Sequence, residues 1–232
     1  MLYSMKIDFV VTHYDGNIDS IKKKINTLKL KVNLIIYNKK NNDYGIHLEN
    51  KGVDAYDKMY HIINNYDNLA DITIFTTDNV FTNKKKIKKI NFILDNLVSM
   101  DGFLTGHIIK NKEEHSFTLD TYNKKKIILS PIRPFYKWFK HYINPLKDKS
   151  EDFYFCKKSI FAVSKELILS HSIDFYKNLL THIKNYSVEG HDSEVPHYFE
   201  RAWVEIFCGT DINKMNHDTN VYGNINAILI QS

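Results

Sequence analysis

Apolar and polar positions fall in blocks along this chain, and the period of the blocks changes in a regular order. Ile7 to Tyr14 (IDFVVTHY) is a β-branched apolar run that ends in polar residues and is followed by Asp15-Gly16-Asn17, the pattern of a buried strand opening into a loop. Ile18, Ile21, Ile25 and Leu28 then recur at helical spacing with lysines between them, so an amphipathic helix follows. Val32 to Tyr37 (VNLIIY) predicts a second strand, closed by the polar Asn38 to Asp43. Gly52-Val53-Asp54-Ala55 leads into a helical pattern on Tyr56, Met59, Tyr60, Ile62 and Ile63, and Ile72 to Thr77 (ITIFTT) predicts a third strand. Another helix is predicted from Lys84 to Val98, on Ile87, Ile90, Ile93, Leu94 and Leu97. Strands that alternate with helices need crossover connections, and the crossovers cover both faces of a mainly parallel sheet.

The middle of the chain loses this regularity. Short extended pieces (Phe103 to Ile109, Ser116 to Tyr122, Lys126 to Leu129) are separated by charged turns, and Pro131 and Pro134 bracket Arg133. Residues 100–150 therefore read as an irregular insertion. Order returns with Phe153 to Ser164, two strand-like runs about a Lys-Lys-Ser turn, then a helical region from Glu166 to Tyr186 with Ser164 as its N-cap. Ser187 to Pro196 reads as a polar loop, Pro196 opens a helix that Gly209 ends, and 210–232 reads as a weakly patterned tail. The expected architecture is one α/β domain over 1–209 with helices on both faces of the sheet, followed by that tail.

Composition narrows the partners. With 232 residues, 43% of them hydrophobic, the chain can bury a proper core. No apolar run approaches the roughly 20 residues that cross a bilayer, and no charged-then-apolar leader opens the sequence, so a soluble cytoplasmic protein is expected. Cys156 and Cys208 stand far apart without a second Cys or His at metal-site spacing, which reads as two buried thiols. The net charge is +5, yet Arg133 and Arg201 are the only arginines. Sequence-specific readout of nucleic acid leans on planar, bidentate Arg, so no specific nucleic-acid partner is expected. The lysine runs at 22–24, 84–89 and 124–126 read as solvated surface, with a phosphate-facing role as the alternative.

In an open parallel sheet, ligands sit beyond the carboxyl ends of the strands. Those ends supply Thr12, His13, Tyr14 and Asp15, then Tyr37 and Asn38, then Thr76, Thr77, Asp78 and Asn79. Neither GxGxxG nor GxxxxGK[ST] is present, which argues against a dinucleotide-binding or P-loop enzyme. Asp78 has two readings: a ligand for a hard divalent ion, or a cap of the turn before Phe81. A second constellation runs from Glu189 through His191, Asp192, Glu194, His197 and Glu200 to Arg201. It reads as a site wall in which a carboxylate is the general base and Arg201 or His191 offsets phosphate charge, or as acids gathered at a helix N-terminus with ordinary ion pairs. The aromatic cluster Phe135, Tyr136, Trp138, Phe139 and Tyr142 reads as packing or as an acceptor groove. Eleven histidines are dispersed without HxH or HExxH, which disfavours a metal hydrolase.

The blocks from Asn50 to Leu69 with ITIFTTD, then FAVSKELI (Phe161 to Ile168), DFYKNLL and HYFERAWVEIFCG (His197 to Gly209) resemble the family called domain of unknown function 3431. That family looks like a branch of the GT-A glycosyltransferases. The resemblance implies a single Rossmann-like GT-A domain, a nucleotide-diphosphate sugar (a UDP-sugar) as donor, and Mn2+ or Mg2+ held by an Asp-x-Asp motif. That motif would fall at Thr76-Thr77-Asp78, with only its second acid retained. It implies Asp78 as the metal ligand, Thr12, His13, Tyr14 and Asn38 against the nucleotide, the donor sugar near Asp54 and Asp78, and Thr76 among the donor-binding residues. Asp192 or Glu200 would be the base, supported by Arg201 and His191, with 100–150 as an acceptor-side lid. The expected activity is metal-assisted transfer of a sugar to a glycan or other hydroxyl acceptor. The alternatives are a non-catalytic carbohydrate-binding or assembly protein on the same fold, or a metal-dependent phosphoesterase.

Overall fold

The computed structural model describes residues 5–40, 44–106, 109–111, 113–209 and 215–217. In chain order its elements are β1 (Ile7–His13), α1 (Ile18–Asn26), β2 (Val32–Asn38), β3 (Ile46–His47), α2 (Val53–Asn64), β4 (Ile72–Thr77), α3 (Lys84–Asn96), β5 (Phe103–Thr105), β6 (Ile109–Asn111), β7 (Thr121–Tyr122), β8 (Lys125–Lys126), α4 (Phe135–Tyr142), β9 (Phe153–Phe155), β10 (Phe161–Ser164), α5 (Lys165–Leu169), α6 (Ile173–Asn185), α7 (Glu194–Cys208) and β11 (Met215–His217). Seven strands form one sheet in the order β11-β5-β10-β4-β1-β2-β3. β1 runs parallel to β2 and β4, β2 to β3, and β11 to β5, whereas β10 is antiparallel to both its neighbours. The chain is thus an α/β protein with a mostly parallel sheet.

Alternation along β1 sorts the two faces, because successive strand side chains point to opposite sides. Ile7, Phe9 and Val11 join Ile18, Ile21 and Ile25 of α1 and Ile90 and Ile93 of α3 in one apolar layer. Val10 and Phe75 lie on the other face, under residues of α2, α4, α6 and α7. Side-chain caps fix several helix starts: Asn17 accepts from the Ser20 N–H at 3.2 Å, Asn83 from Lys85 at 2.8 Å and Ser172 from Phe175 at 3.3 Å. From β1 the order steps outward through β2 to β3, and β4 returns to the other flank of β1. Such a reversal leaves a crevice beyond the carboxyl ends of β1 and β4.

Three stretches differ from the sequence expectation. Phe135–Tyr142 is helix α4 rather than irregular chain, and Phe135, Trp138 and Phe139 are fully buried, with Trp138 edge-on to Phe199 of α7 at 5.1 Å. These three side chains are core. The helix expected over 166–186 is two, α5 and α6, because Ser170 to Ser172 break it and Ser172 caps the second. In the tail, residues 215–217 form β11 beside β5, and the rest of 210–232 lies outside the described residues. Among the described residues no helix is long and apolar enough to cross a membrane.

Burial of α4 against α6 brings one consequence for pH. Trp138 donates its indole N–H to Nε2 of His182 at 2.7 Å, and burial, reinforced by His141, pushes the His182 imidazole down to about 4 from 6.5. The unfolded chain therefore binds more protons between those values, so His182 contributes stability that is complete above pH 6.5 and is lost as pH falls towards 4. We expect the stability gap between the wild type and His182→Asn, read from urea midpoints, to narrow by about 2 kcal/mol from pH 7 to pH 5. A gap that widens over that range would contradict this assignment.

Candidate functional site

The loop after β1 turns over a single carboxylate. Oδ2 of Asp78, at the tip of β4, accepts the backbone N–H groups of Tyr14 at 2.6 Å, Asp15 at 3.0 Å and Gly16 at 2.7 Å, and lies 2.9 Å from Nδ1 of His13. The Asp78 N–H in turn donates to the Thr12 carbonyl at 3.0 Å. Hydrogen bonds to an ionised acceptor are the strong ones, so this set anchors the β1–α1 loop to β4. Gly16 is required by closeness: a Cβ there would meet Cγ of Asp78 at 2.5 Å and its backbone carbon at 2.8 Å. A pocket of about 180 Å³ opens beside the anchored loop, between His13, Asn17, Asp19 and Tyr44.

The turn reading of Asp78 does not describe this geometry. The side chain caps a loop far away in sequence rather than the turn before Phe81. Its Oδ2 is taken by these nitrogens and is not left for a resident Mn2+ or Mg2+. Four N–H donors already point their positive ends at Oδ2, and hard cations want a shell of oxygen ligands. Among the described residues no three His, Cys, Asp or Glu side chains gather where they would hold an ion.

Carboxylates nevertheless converge around the crevice. Tyr14 is partly buried, its hydroxyl donates to Oδ1 of Asn50, and its pKa is raised by burial and then by Asp57, Asp54, Asp192 and Asp78. Asp54, in the first turn of α2, takes the ammonium of Lys58 at 2.6 Å. Lys58 is 1% exposed, with its Nζ 5.7 Å from the Trp203 ring centre and near Phe75 and Phe161, so three aromatic rings and Asp54 compensate its burial. Behind them, Nζ of Lys39 lies 2.5 Å from Oδ1 of Asp57, both side chains fully buried. Burial holds the Asp57 carboxyl above the usual range, against the pull of Lys39 and the Thr12 hydroxyl, and burial lowers the Lys39 ammonium.

Helix α7 supplies the facing wall. Oε1 of Glu200 accepts the Lys158 N–H at 2.6 Å. Burial lowers the His197 imidazole, with Glu200, Asp192 and Asp54 opposing and Arg201 adding to the shift. Arg201 donates to Glu114 at 2.5 Å and to the His197 carbonyl at 2.9 Å, with its guanidinium 3.3 Å above the Phe117 ring. It ties residues 113–117 to α7, and its charge is spent on Glu114.

Of the residues expected from sequence, Asp54, Asp78 and Asp192 act electrostatically on Tyr14, and Glu200, Asp192 and Asp54 on His197, while His13 helps to hold the β1–α1 loop. Others point elsewhere. Asn38 is fully buried, with Oδ1 accepting the Lys40 N–H at 2.8 Å. Thr12 faces Asp57, Thr76 is buried on the opposite face of the sheet from Thr12 by strand alternation, and His191 is exposed. Sequence reasoning missed Lys58, although its spacing of four from Asp54 on one helix face was a readable signal. It also missed the Lys39–Asp57 pair, which joins a strand end to a helix and leaves no local trace.

No curated protein matches the chain. A family model described as "Protein of unknown function (DUF3431)" does match, from residue 10 to residue 222, and that span takes in the end of β1, the anchored loop, α2, β4 and all of α7. The chain belongs to this family.

Proposed function

We propose that this chain is a glycosyltransferase that moves a sugar from a nucleotide-diphosphate donor, a UDP-sugar, to the hydroxyl of a glycan or glycoconjugate acceptor on a GT-A-like frame. One observation carries the reading: Tyr14, Asp54, Asp78 and Asp192 gather where the strand order reverses, the place where open α/β sheets bind their ligands. In this reading the anchored loop receives the nucleotide, and Asp54, held by Lys58, faces the donor sugar. Asp192 takes the proton of the acceptor hydroxyl as the new C–O bond forms at the anomeric carbon and the bond to the diphosphate breaks. Glu200 positions the backbone at Lys158. Manganese or magnesium belongs to the donor's diphosphate complex rather than to a seat on Asp78.

Titration calorimetry with UDP-sugars, with and without manganese, tests this. Binding is expected, together with slow UDP release that Asp192→Asn lowers at least about 100-fold while donor binding persists. No nucleotide binding under either condition would exclude the proposal. A second reading, a carbohydrate-binding protein on the same fold, draws on the use of Asp78 as an anchor. Sugar binding with no nucleotide release would favour it, and release of inorganic phosphate would favour a phosphoesterase.

A further inference from the structure

If the crevice takes a diphosphate donor, something must meet the charge of the phosphates. Three of the carboxylates there already have partners. Asp78 is surrounded by N–H donors, Asp54 is paired with Lys58, and Asp57 with Lys39. Two further cations flank the tip of β4. Lys86, in the first turn of α3, reaches back and donates to Oδ1 of Asn79, which also accepts the Thr77 hydroxyl at 2.9 Å. Beside β4, Phe161 of β10 lies across from Phe75 in the antiparallel register, so the turn that precedes β10 sits beside Thr77 and Asp78. That turn carries Lys158.

The turn is held in an unusual shape. Lys158 and Ser159 have φ of 74° and 49°, a left-handed region that β-carbon-bearing residues enter at a cost. Glu200 pins the Lys158 N–H at 2.6 Å, and the Trp203 indole donates to the Ser159 hydroxyl at 3.2 Å. The ammonium of Lys86 is lowered first by burial and then by Lys158, with Asp78 and Asp54 opposing. Two like charges thus act on each other near the tip of β4, an arrangement that an anion would relieve.

We propose that Lys86 and Lys158 form the diphosphate subsite of the crevice, clamping the phosphates of the donor beside the tip of β4 and stabilising the leaving diphosphate without a protein-bound metal ion. This rests on the donor reading above, yet the subsite can be probed apart from it. The probe is inorganic pyrophosphate, titrated calorimetrically into the full chain in EDTA. The wild type is expected to bind, more weakly as sodium chloride is raised, with affinity falling at least tenfold in Lys86→Gln or Lys158→Gln and further in the double variant. Both side chains reach solvent, so circular dichroism should show both variants folded. Absence of pyrophosphate binding in EDTA, binding that appears only on adding manganese, or variants that bind like the wild type would each overturn the subsite. If pyrophosphate binds through these lysines and UDP-sugars bind no tighter, the subsite stands and the donor reading falls. If UDP-sugars bind and turn over in the double variant as in the wild type, the donor reading stands and the subsite falls.

Discussion

Glu194→Ala is expected to lower stability by about 4–5 kcal/mol, since each buried polar group left unsatisfied costs about 1–3 kcal/mol. Glu194 is fully buried at the start of α7. It accepts the N–H of Leu119 at 2.8 Å and of Ser130 at 2.9 Å, the hydroxyl of Tyr198 at 2.8 Å, and Nε of Arg133 at 2.9 Å. Those donors lie on three stretches of chain, so the carboxylate adds to the backbone bonds Ile128–Asp192 and Glu194–Ile128 in holding residues 119–133 onto α7. Removing it strands two backbone N–H groups and a hydroxyl indoors, while Arg133 keeps Asp120 at 2.7 Å. Glu194→Gln keeps one acceptor oxygen and should cost about half as much. In a thermal scan the alanine variant should melt about 10–15 °C lower, on the scale of 2–4 °C per kcal/mol for chains of this size. A loss under about 1 kcal/mol, the value of one ordinary hydrogen bond, would mean that the segment is held by something else.

Asp78→Ala is expected to cost about 3–4 kcal/mol, because three N–H groups of the β1–α1 loop lose their acceptor together. The sign of this effect separates two roles. A carboxylate kept to bind a cation repels its neighbours when no cation is present, so replacing it in chelator would leave stability unchanged or raised. An anchor whose partners are all N–H donors gives a loss in the same buffer. Gly16→Ala should act in the same direction, since its added methyl would have to displace the Asp78 carboxylate and backbone. Urea unfolding in EDTA measures both, and an unchanged midpoint for Asp78→Ala would restore the ligand role.

The elements that carried a strong period were legible before the structure. Phe9, Val10 and Val11 could be placed in a buried strand, and Ile18, Ile21 and Ile25 on one helix face, because local burial alone sets those patterns. Helix α4 was hidden. Its buried Phe135, Trp138 and Phe139 are spaced correctly, but Arg133 and Pro134 made the segment look like a turn, and its eight residues gain their stability from packing rather than propensity. The site was half legible. Positions at strand ends were found by rule, which is why Tyr14 and Asp78 appear in it. The orientation of each side chain there depends on partners from distant segments: Asp78 on residues 62–65 positions away, Arg201 on Glu114, Lys39 on Asp57. No window of sequence contains such pairs.

The reversed strand β10 also governs the order in which the protein can be built. While the polypeptide emerges from the ribosome, β1, β2 and β4 can associate through their own crossovers, but β4 then presents a bare apolar edge, Ile72–Thr77, until β10 arrives to cover it. β5, made earlier than β10, has no place beside β4 until that later strand slots between them, and Met215 must still reach Phe103 to finish the far side. Nascent chains of this protein therefore carry an adhesive flank until β10 is made, and slow translation between β4 and β10 prolongs that interval.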